Sequence, residues 1–146
     1  MNNQLPRWIY HIATESDLTS FCDHPSYYEP SAFVTDGFIH GALDLDTVFG
    51  VAESYYAEQL NPLVVLRIEV CEVDAIIKLE APIPKDGKPQ AHHKPGRLFP
   101  HIYGFLPLSA IDGGALLHCV GGEWKLEGHW EPLALVFERL GLKGLL

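Results

Sequence analysis

The sequence predicts one α+β domain built on a mixed, largely antiparallel sheet with a few helices. Three observations carry that prediction. Strand-like and helix-like segments are interleaved but do not alternate as regular βαβ units, which argues against a doubly wound parallel sheet. The 146 residues are the usual size of a single domain. With 47% apolar residues the chain can build a core without disulfides or a structural metal. No internal repeat, low-complexity tract or linker divides residues 1–146.

Arg7 to Ala13 reads as a strand, because Trp8, Ile9, Tyr10 and Ile12 are β-branched or aromatic. Thr14 can cap a short helix with Asp17 at its third position, and that helix should end near Asp23, ahead of Pro25. Pro25 to Pro30 is a loop. Ser31 to Leu43 is expected to hold two short extended pieces around the turn signal Asp36-Gly37, with His40 in the second. Asp44 to Gln59 has the clearest helical spacing. Leu45, Val48, Phe49, Ala52 and Tyr56 form one apolar face, Asp44 or Asp46 caps it, and Asn61-Pro62 closes it. Of the pair Tyr55-Tyr56, one ring is expected in the core and the other at the surface or in a cleft.

Leu63 to Val70 is the clearest strand, and Ile76 to Leu79 is another. Ala81 to Gly96 is the longest loop. It carries Lys85, Lys88, Lys94 and the pair His92-His93, with Arg97 next, so more than a third of the chain's ten basic residues gather there. Leu98 to Gly104 leads into a strand near Leu108 to Ile111. Ala115 to Val120 and Glu123 to Glu127 form a hairpin on the two-residue turn Gly121-Gly122. Glu131 to Leu140 is a final helix.

The formal net charge of −9 argues against a dedicated nucleic-acid binder and against an anionic membrane surface. The segment MNNQLPRWIYHIATESD has no basic region followed by an apolar one. No apolar run approaches the roughly 20 residues that span a bilayer. A cytoplasmic, reducing location is the expectation. Cys22, Cys71 and Cys119 are odd in number and form no CxxC pair, so they read as reduced, largely buried thiols. The oligomeric state is not legible.

Common nucleotide-binding and hydrolase signatures are missing: no GxxxxGK[ST], GxGxxG, GxSxG or HExxH is present. Of the eight histidines, His11, His40 and His101 share a setting next to apolar residues, close to the edge of an extended segment. Protonation of a partly buried imidazole is set by its neighbours, which suits proton transfer or ligand binding. The plainer alternative is three core-edge histidines bonded to backbone. Three imidazoles plus water also make an open metal site. The long spacing and the lack of an HxxxH pair argue against it, and no metal is expected. Lys94 and Arg97 on the basic loop can meet the phosphate or carboxylate of a small anionic ligand, while the plainer reading is a solvated loop.

Four blocks in order carry a family resemblance: Ile9-Tyr10-His11-Ile12-Ala13-Thr14, Thr35-Asp36-Gly37-Phe38-Ile39-His40, Leu63-Val64-Val65-Leu66-Arg67-Ile68, and Leu98-Phe99-Pro100-His101-Ile102-Tyr103-Gly104-Phe105-Leu106-Pro107-Leu108. Together they resemble the small bacterial proteins grouped as domain of unknown function 952, over about residues 8 to 112. Residues from about Gly113 to 146 form a C-terminal extension. The family is in turn similar to the ADP-ribosyltransferase fold, including RNA 2′-phosphotransferases. That likeness implies a cleft for NAD or another nucleotide. In it His11 would orient a ribose, Tyr10 and Thr14 would belong to the cofactor-binding residues, and His40 and Tyr103 would flank the nicotinamide. His101 or Tyr103 would supply the third position, and Lys94 and Arg97 would meet the pyrophosphate. The implied chemistry is nicotinamide loss through an oxocarbenium-like state. Three positions depart from those relatives: Ile12 replaces a glycine, Ala42 a serine, and Arg97 stands where an acidic residue is common. Glu69 and Glu80 are the nearest candidates for the carboxylate such chemistry uses. The resemblance leaves two other outcomes open: a binding domain that has lost the chemistry, and a metal enzyme using the three histidines.

Overall fold

The computed structural model describes residues 5–22, 24–82 and 96–142. Its largest sheet joins β1 (Trp8–Ala13), β4 (Leu63–Glu69), β8 (Ile111–Val120) and β9 (Glu123–Glu131) in that order. A second sheet has the order β3 (Ile39–His40), β6 (Phe99–Tyr103), β5 (Ile76–Glu80), and a small ribbon pairs β2 (Tyr27–Tyr28) with β7 (Leu106–Pro107). Every described strand pair is antiparallel. Among the described residues four α-helices accompany them: α1 (Glu15–Leu18), α2 (Ala32–Asp36), α3 (Leu45–Tyr55) and α4 (Leu133–Arg139). The domain is α+β, and the parallel component of a mixed sheet is not found among the described pairs.

β4 is the spine of the large sheet. Leu63, Val64, Val65, Leu66 and Ile68 are fully buried, because one face meets each of two apolar clusters. On one side Leu66 and Ile68 join Ile9, Phe21, Tyr28, Ile102 and Phe137. On the other, Val65 and Leu63 join Ile12, Ala42, Leu117 and the α3 residues Val48 and Ala52. Burying an aliphatic side chain of this kind contributes about 1.5–3 kcal/mol. β8 pairs with β4 along most of its length, and Val136 and Phe137 of α4 enter the first cluster. The described residues of the C-terminal extension, 113–142, therefore contribute to the main sheet and its core.

Several local expectations change. The piece before Asp36 is the helix α2, not an extended segment. Gly37 closes it in the left-handed conformation at φ 80°, donating its N–H to the Phe33 carbonyl. Asp36-Gly37 is a helix end, which uses the same residues as a turn. α3 stops at Tyr55, four residues short of Gln59, and its N-cap is Asp44, whose carboxylate accepts from Thr47 N–H. Leu108–Ala110 is a 3₁₀ turn, and the following strand β8 runs from Ile111. The hairpin strands are longer than expected, and Gly121 and Gly122 take φ 60° and 85°. Cys71 and Cys119 are exposed free thiols and are not buried. Cys71 sits in a 3₁₀ turn after β4, and Cys119 near the hairpin end of β8. Residues 83–95 of the basic loop lie outside the described residues. Among the described residues no helix is long and apolar enough to cross a membrane.

One junction positions everything that follows. Tyr10 N–H donates to Ala42 O at 2.9 Å, and Ala42 N–H returns the bond to Tyr10 O at 2.8 Å. Next to it, Gly41 N–H donates to Pro100 O at 2.9 Å. A Cβ on Gly41 would sit 2.8 Å from that carbonyl, so only glycine lets the three backbones meet there. Beyond the junction β1 stays with β4, while β3 stays with β6. The strand bearing His11 and the strand bearing His40 therefore touch at one point and then take different partners.

Candidate functional site

Beside this junction lies a cavity of about 500 Å³. Its wall takes Tyr10, His11, Ile12 and Thr14 from the first strand and its end, and His40, Gly41 and Ala42 from the second. Val48, Val51, Tyr55 and Tyr56 come from α3 and its end, and Phe99 and His101 from β6. That volume lies in the range of small-molecule sites. The three histidines all reach this wall, but their roles differ.

His11 is 6% exposed, and both of its nitrogens are engaged. Nδ1 lies 2.6 Å from the His40 carbonyl, and Nε2 lies 2.8 Å from the Tyr28 hydroxyl. A carbonyl only accepts, so Nδ1 carries the proton and donates. In the neutral ring Nε2 then accepts from Tyr28. Burial pushes the His11 pKa down, and burial pushes that of Tyr28 well up. Both groups are held neutral and satisfied, with their proton positions assigned by the carbonyl.

His101 is 3% exposed. Its Nδ1 lies 3.0 Å from Glu80 Oε1, and the Tyr103 hydroxyl donates a short bond to the same oxygen. These two bonds hold the Glu80 carboxyl below its ordinary pKa, so it is a carboxylate. His101 Nδ1–H donates to it. Burial lowers the His101 pKa despite the carboxylate, which favours the neutral ring. The Nε2 lone pair is left with no protein partner among the described residues. Phe38 stacks on the ring at 4.0 Å between centroids and 23° between planes.

His40 is the third. Its Nε2 lies 2.7 Å from Asp36 Oδ2, four residues back across the end of α2. In the neutral ring Nε2–H donates to the carboxylate, and Nδ1 carries the lone pair. His40 and His101 face each other across the β3–β6 register, with centroids 5.6 Å apart and planes at 71°. Phe38 touches both rings. These two imidazoles, with Asp36, Glu80 and Phe38, form the cluster. His11 meets it only through the His40 carbonyl.

The remaining candidates separate. Tyr10 lines the cavity and stacks on Trp130 at 5.6 Å. Thr14 also lines it, with its hydroxyl capping α1 by accepting from Asp17 N–H. Tyr103 is 37% exposed, supports Glu80 from outside and is not part of the cavity wall. Arg97 donates to the Thr47 hydroxyl at 2.7 Å, on the first turn of α3. Lys94 lies outside the described residues. Tyr55 and Tyr56 both line the cavity, and Tyr56 also packs on the second core cluster. Of the two candidate carboxylates, Glu80 joins the cluster, whereas Glu69 pairs with Arg7 at 3.1 Å. Asp36, Phe38 and Tyr28 were not expected as site residues. The spacing Asp36–His40 and the alternation Phe38-x-His40 carried the signal for the first two. The contact of Tyr28 with His11 had no local signal.

No nitrogen of His11 remains for a metal shared with His40 and His101. Among the described residues no group of three or more His, Cys, Asp or Glu is placed to hold one.

The fold and cavity define a small antiparallel α+β domain with an imidazole-lined pocket at the parting of two sheets. The chain belongs to the family described as Protein of unknown function (DUF952), whose model matches residues 12–113. Among solved structures it is similar to the X-ray crystal structure of protein CC0527 from Caulobacter crescentus. The identity is 22%, with 81% of this chain and 93% of that one covered and a TM-score of 0.54. The solution NMR structure of CC0527 is 19% identical, with 94% and 100% covered and a TM-score of 0.54. At this identity the likeness shows the fold alone. No curated protein matches the chain.

Proposed function

We propose that the cavity binds a nucleoside-sized ligand, with the nucleoside halves of NAD or ADP-ribose as first candidates, and that His101 acts there as hydrogen-bond acceptor and base. The observation that carries this is the His101–Glu80 pair. A carboxylate fixes the tautomer of a neutral imidazole and leaves the other nitrogen as an acceptor in a largely apolar pocket. That is the arrangement of an oriented general base. Val48, Val51 and the tyrosines of the wall suit an aromatic base, and the imidazoles suit hydroxyl groups. Among the described lining residues there is no Lys or Arg, so the pocket fits the nucleoside part better than the pyrophosphate. An ADP-ribosyltransferase-like fold is part of the same proposal. The contact of the Tyr10-His11 strand with the His40 segment supports it, as does the carboxylate of Glu80 beside His101. A reducing, cytoplasmic setting suits the exposed free thiols Cys71 and Cys119.

One observation favours a second reading, a binding domain without transfer chemistry: both nitrogens of His11 are taken by protein partners. The two readings part in one experiment. Calorimetric titration of the full chain with adenosine, nicotinamide riboside, NAD and ADP-ribose is run alongside an assay of nicotinamide release from NAD. Binding weakened at least tenfold by His101→Phe supports the pocket. Release of nicotinamide, abolished by the same change, supports chemistry. Binding without release leaves the second reading, and no binding of any of the four would sink the proposal.

A further inference from the structure

The cavity has a feature that goes beyond a generic nucleoside pocket. Two neighbouring imidazoles each meet a carboxylate, one through Nδ1 and the other through Nε2. His101 is held through Nδ1 by Glu80, so its acceptor is Nε2. His40 is held through Nε2 by Asp36, so in its neutral ring the acceptor is Nδ1. Donating an N–H to a carboxylate raises the basicity of the opposite nitrogen, which makes each ring a stronger acceptor. Neither of these nitrogens has a protein partner among the described residues.

Two adjacent acceptors need two adjacent donors. We propose that His40 and His101 together hold a vicinal diol, the 2′- and 3′-hydroxyls of a ribose in the nucleoside reading, on which this assignment rests. A diol supplies two O–H donors on neighbouring carbons, and imidazoles with centroids 5.6 Å apart at 71° can be bridged by such a pair. Phe38 stacks on His101 and contacts His40, so neither ring turns freely away from this arrangement. The only formal charges on the described cavity wall belong to Asp17 and Asp36. Asp17 is filled by Thr14 N–H and by the N–H and hydroxyl of Ser31, and Asp36 by His40. Phosphate oxygens bring acceptors and no donors to this place, so a phosphate is the wrong partner for it. The ribose role that the family likeness gives to His11 passes to His40 and His101, because His11 has no free nitrogen.

The test is isothermal titration of the full chain with adenosine, 2′-deoxyadenosine, 3′-deoxyadenosine and methyl β-ribofuranoside, repeated on His40→Phe and His101→Phe. Thermal melts establish that each variant is folded. The expected result is a loss of at least tenfold in affinity when either hydroxyl is removed. In each variant one of the two deoxy compounds should bind like the ribo compound, because the hydroxyl it lacks no longer has its partner, and the other should still bind more weakly. Ribo and deoxy compounds binding within twofold of each other in the native protein would overturn the diol site and leave the nucleoside reading standing. Methyl β-ribofuranoside binding, with no nucleoside bound, would keep the diol site and remove the nucleoside. No binding of any diol overturns both. Benzylamine binding that His40→Phe abolishes, in the absence of diol binding, would assign the pair to an ammonium group instead.

Discussion

His11 and His101 start from similar sequence and end at similar depth, yet they do different things. Each lies on a strand among aromatic and β-branched neighbours. They are 6% and 3% exposed, and burial lowers the pKa of both. The difference is the partner of the second nitrogen. His11 gives one nitrogen to a backbone carbonyl and the other to Tyr28, so its hydrogen-bonding capacity is used up inside the fold. His101 gives one nitrogen to Glu80, and the other has no protein partner among the described residues in a ring that lines the cavity. Burial and pKa direction therefore do not separate a structural histidine from a site histidine. The count of satisfied nitrogens does.

The largest expected effect breaks the comparison directly. His11→Ala removes a buried ring and leaves both the Tyr28 hydroxyl and the His40 carbonyl without their partner. Those losses together destabilise by about 3 kcal/mol or more. His101→Ala removes a ring of the same size, but its partner Glu80 reaches solvent and keeps Tyr103. About 1–2 kcal/mol is expected there, mostly lost packing against Phe38. Urea denaturation of both variants gives the two numbers. Equal losses would mean that the two histidines are both structural.

A smaller effect sharpens the same contrast with one oxygen atom. Tyr28→Phe keeps the ring in the core and deletes the hydroxyl, leaving Nε2 of His11 buried without a donor. The expected cost is about 1–2 kcal/mol. Tyr103→Phe deletes an equivalent hydroxyl at the exposed end of the other pair, where Glu80 retains His101 and water. Its unfolding midpoint should be unchanged. A midpoint shift in the second variant as large as in the first would undo the distinction between a closed pair and an open one.

Much of this fold was legible because it rests on local chemistry. The α1 capping box of Thr14 and Asp17, the Asp44 cap, the buried run Leu63–Ile68 and the Gly121-Gly122 turn all depend on residues a few positions apart. α2 was missed because Ala32–Asp36 is only five residues long and has no buried residue, so it leaves no helical apolar stripe. α3 was overextended because Tyr56 continues the apolar face, although the backbone leaves the helix there at φ −124°. In the site, the three histidines could be read from their setting. Their partners could not, except Asp36, which is four residues from His40. Glu80 reaches His101 across the β5–β6 pairing, and Tyr28 reaches His11 from a different sheet. Such contacts are products of register and topology, which a single sequence leaves open.

The smallest effect concerns pH, and its sign follows from both regions at once. His11 and His101 have folded-state pKa values below the ordinary 6.5, so between the two values the unfolded chain binds more protons than the folded one. Stability contributed by these neutral rings is complete above about pH 6.5 and is lost as pH falls from there toward the lowered folded values. The slope is at most about 1.4 kcal/mol per pH unit for each ring. Glu80 works in a different window. Its lowered pKa contributes stability above the ordinary 4.5 that disappears only as pH falls below that value. Urea midpoints measured at pH 7.5, 6.5 and 5.5 therefore read the imidazoles before the carboxylates. In His101→Gln the slope between pH 6.5 and 5.5 should shrink. Addition of a ligand that donates a hydrogen bond to neither ring would leave that slope alone. A diol that donates to His101 should steepen it, because the bound form requires the neutral ring and protonation must first release the ligand.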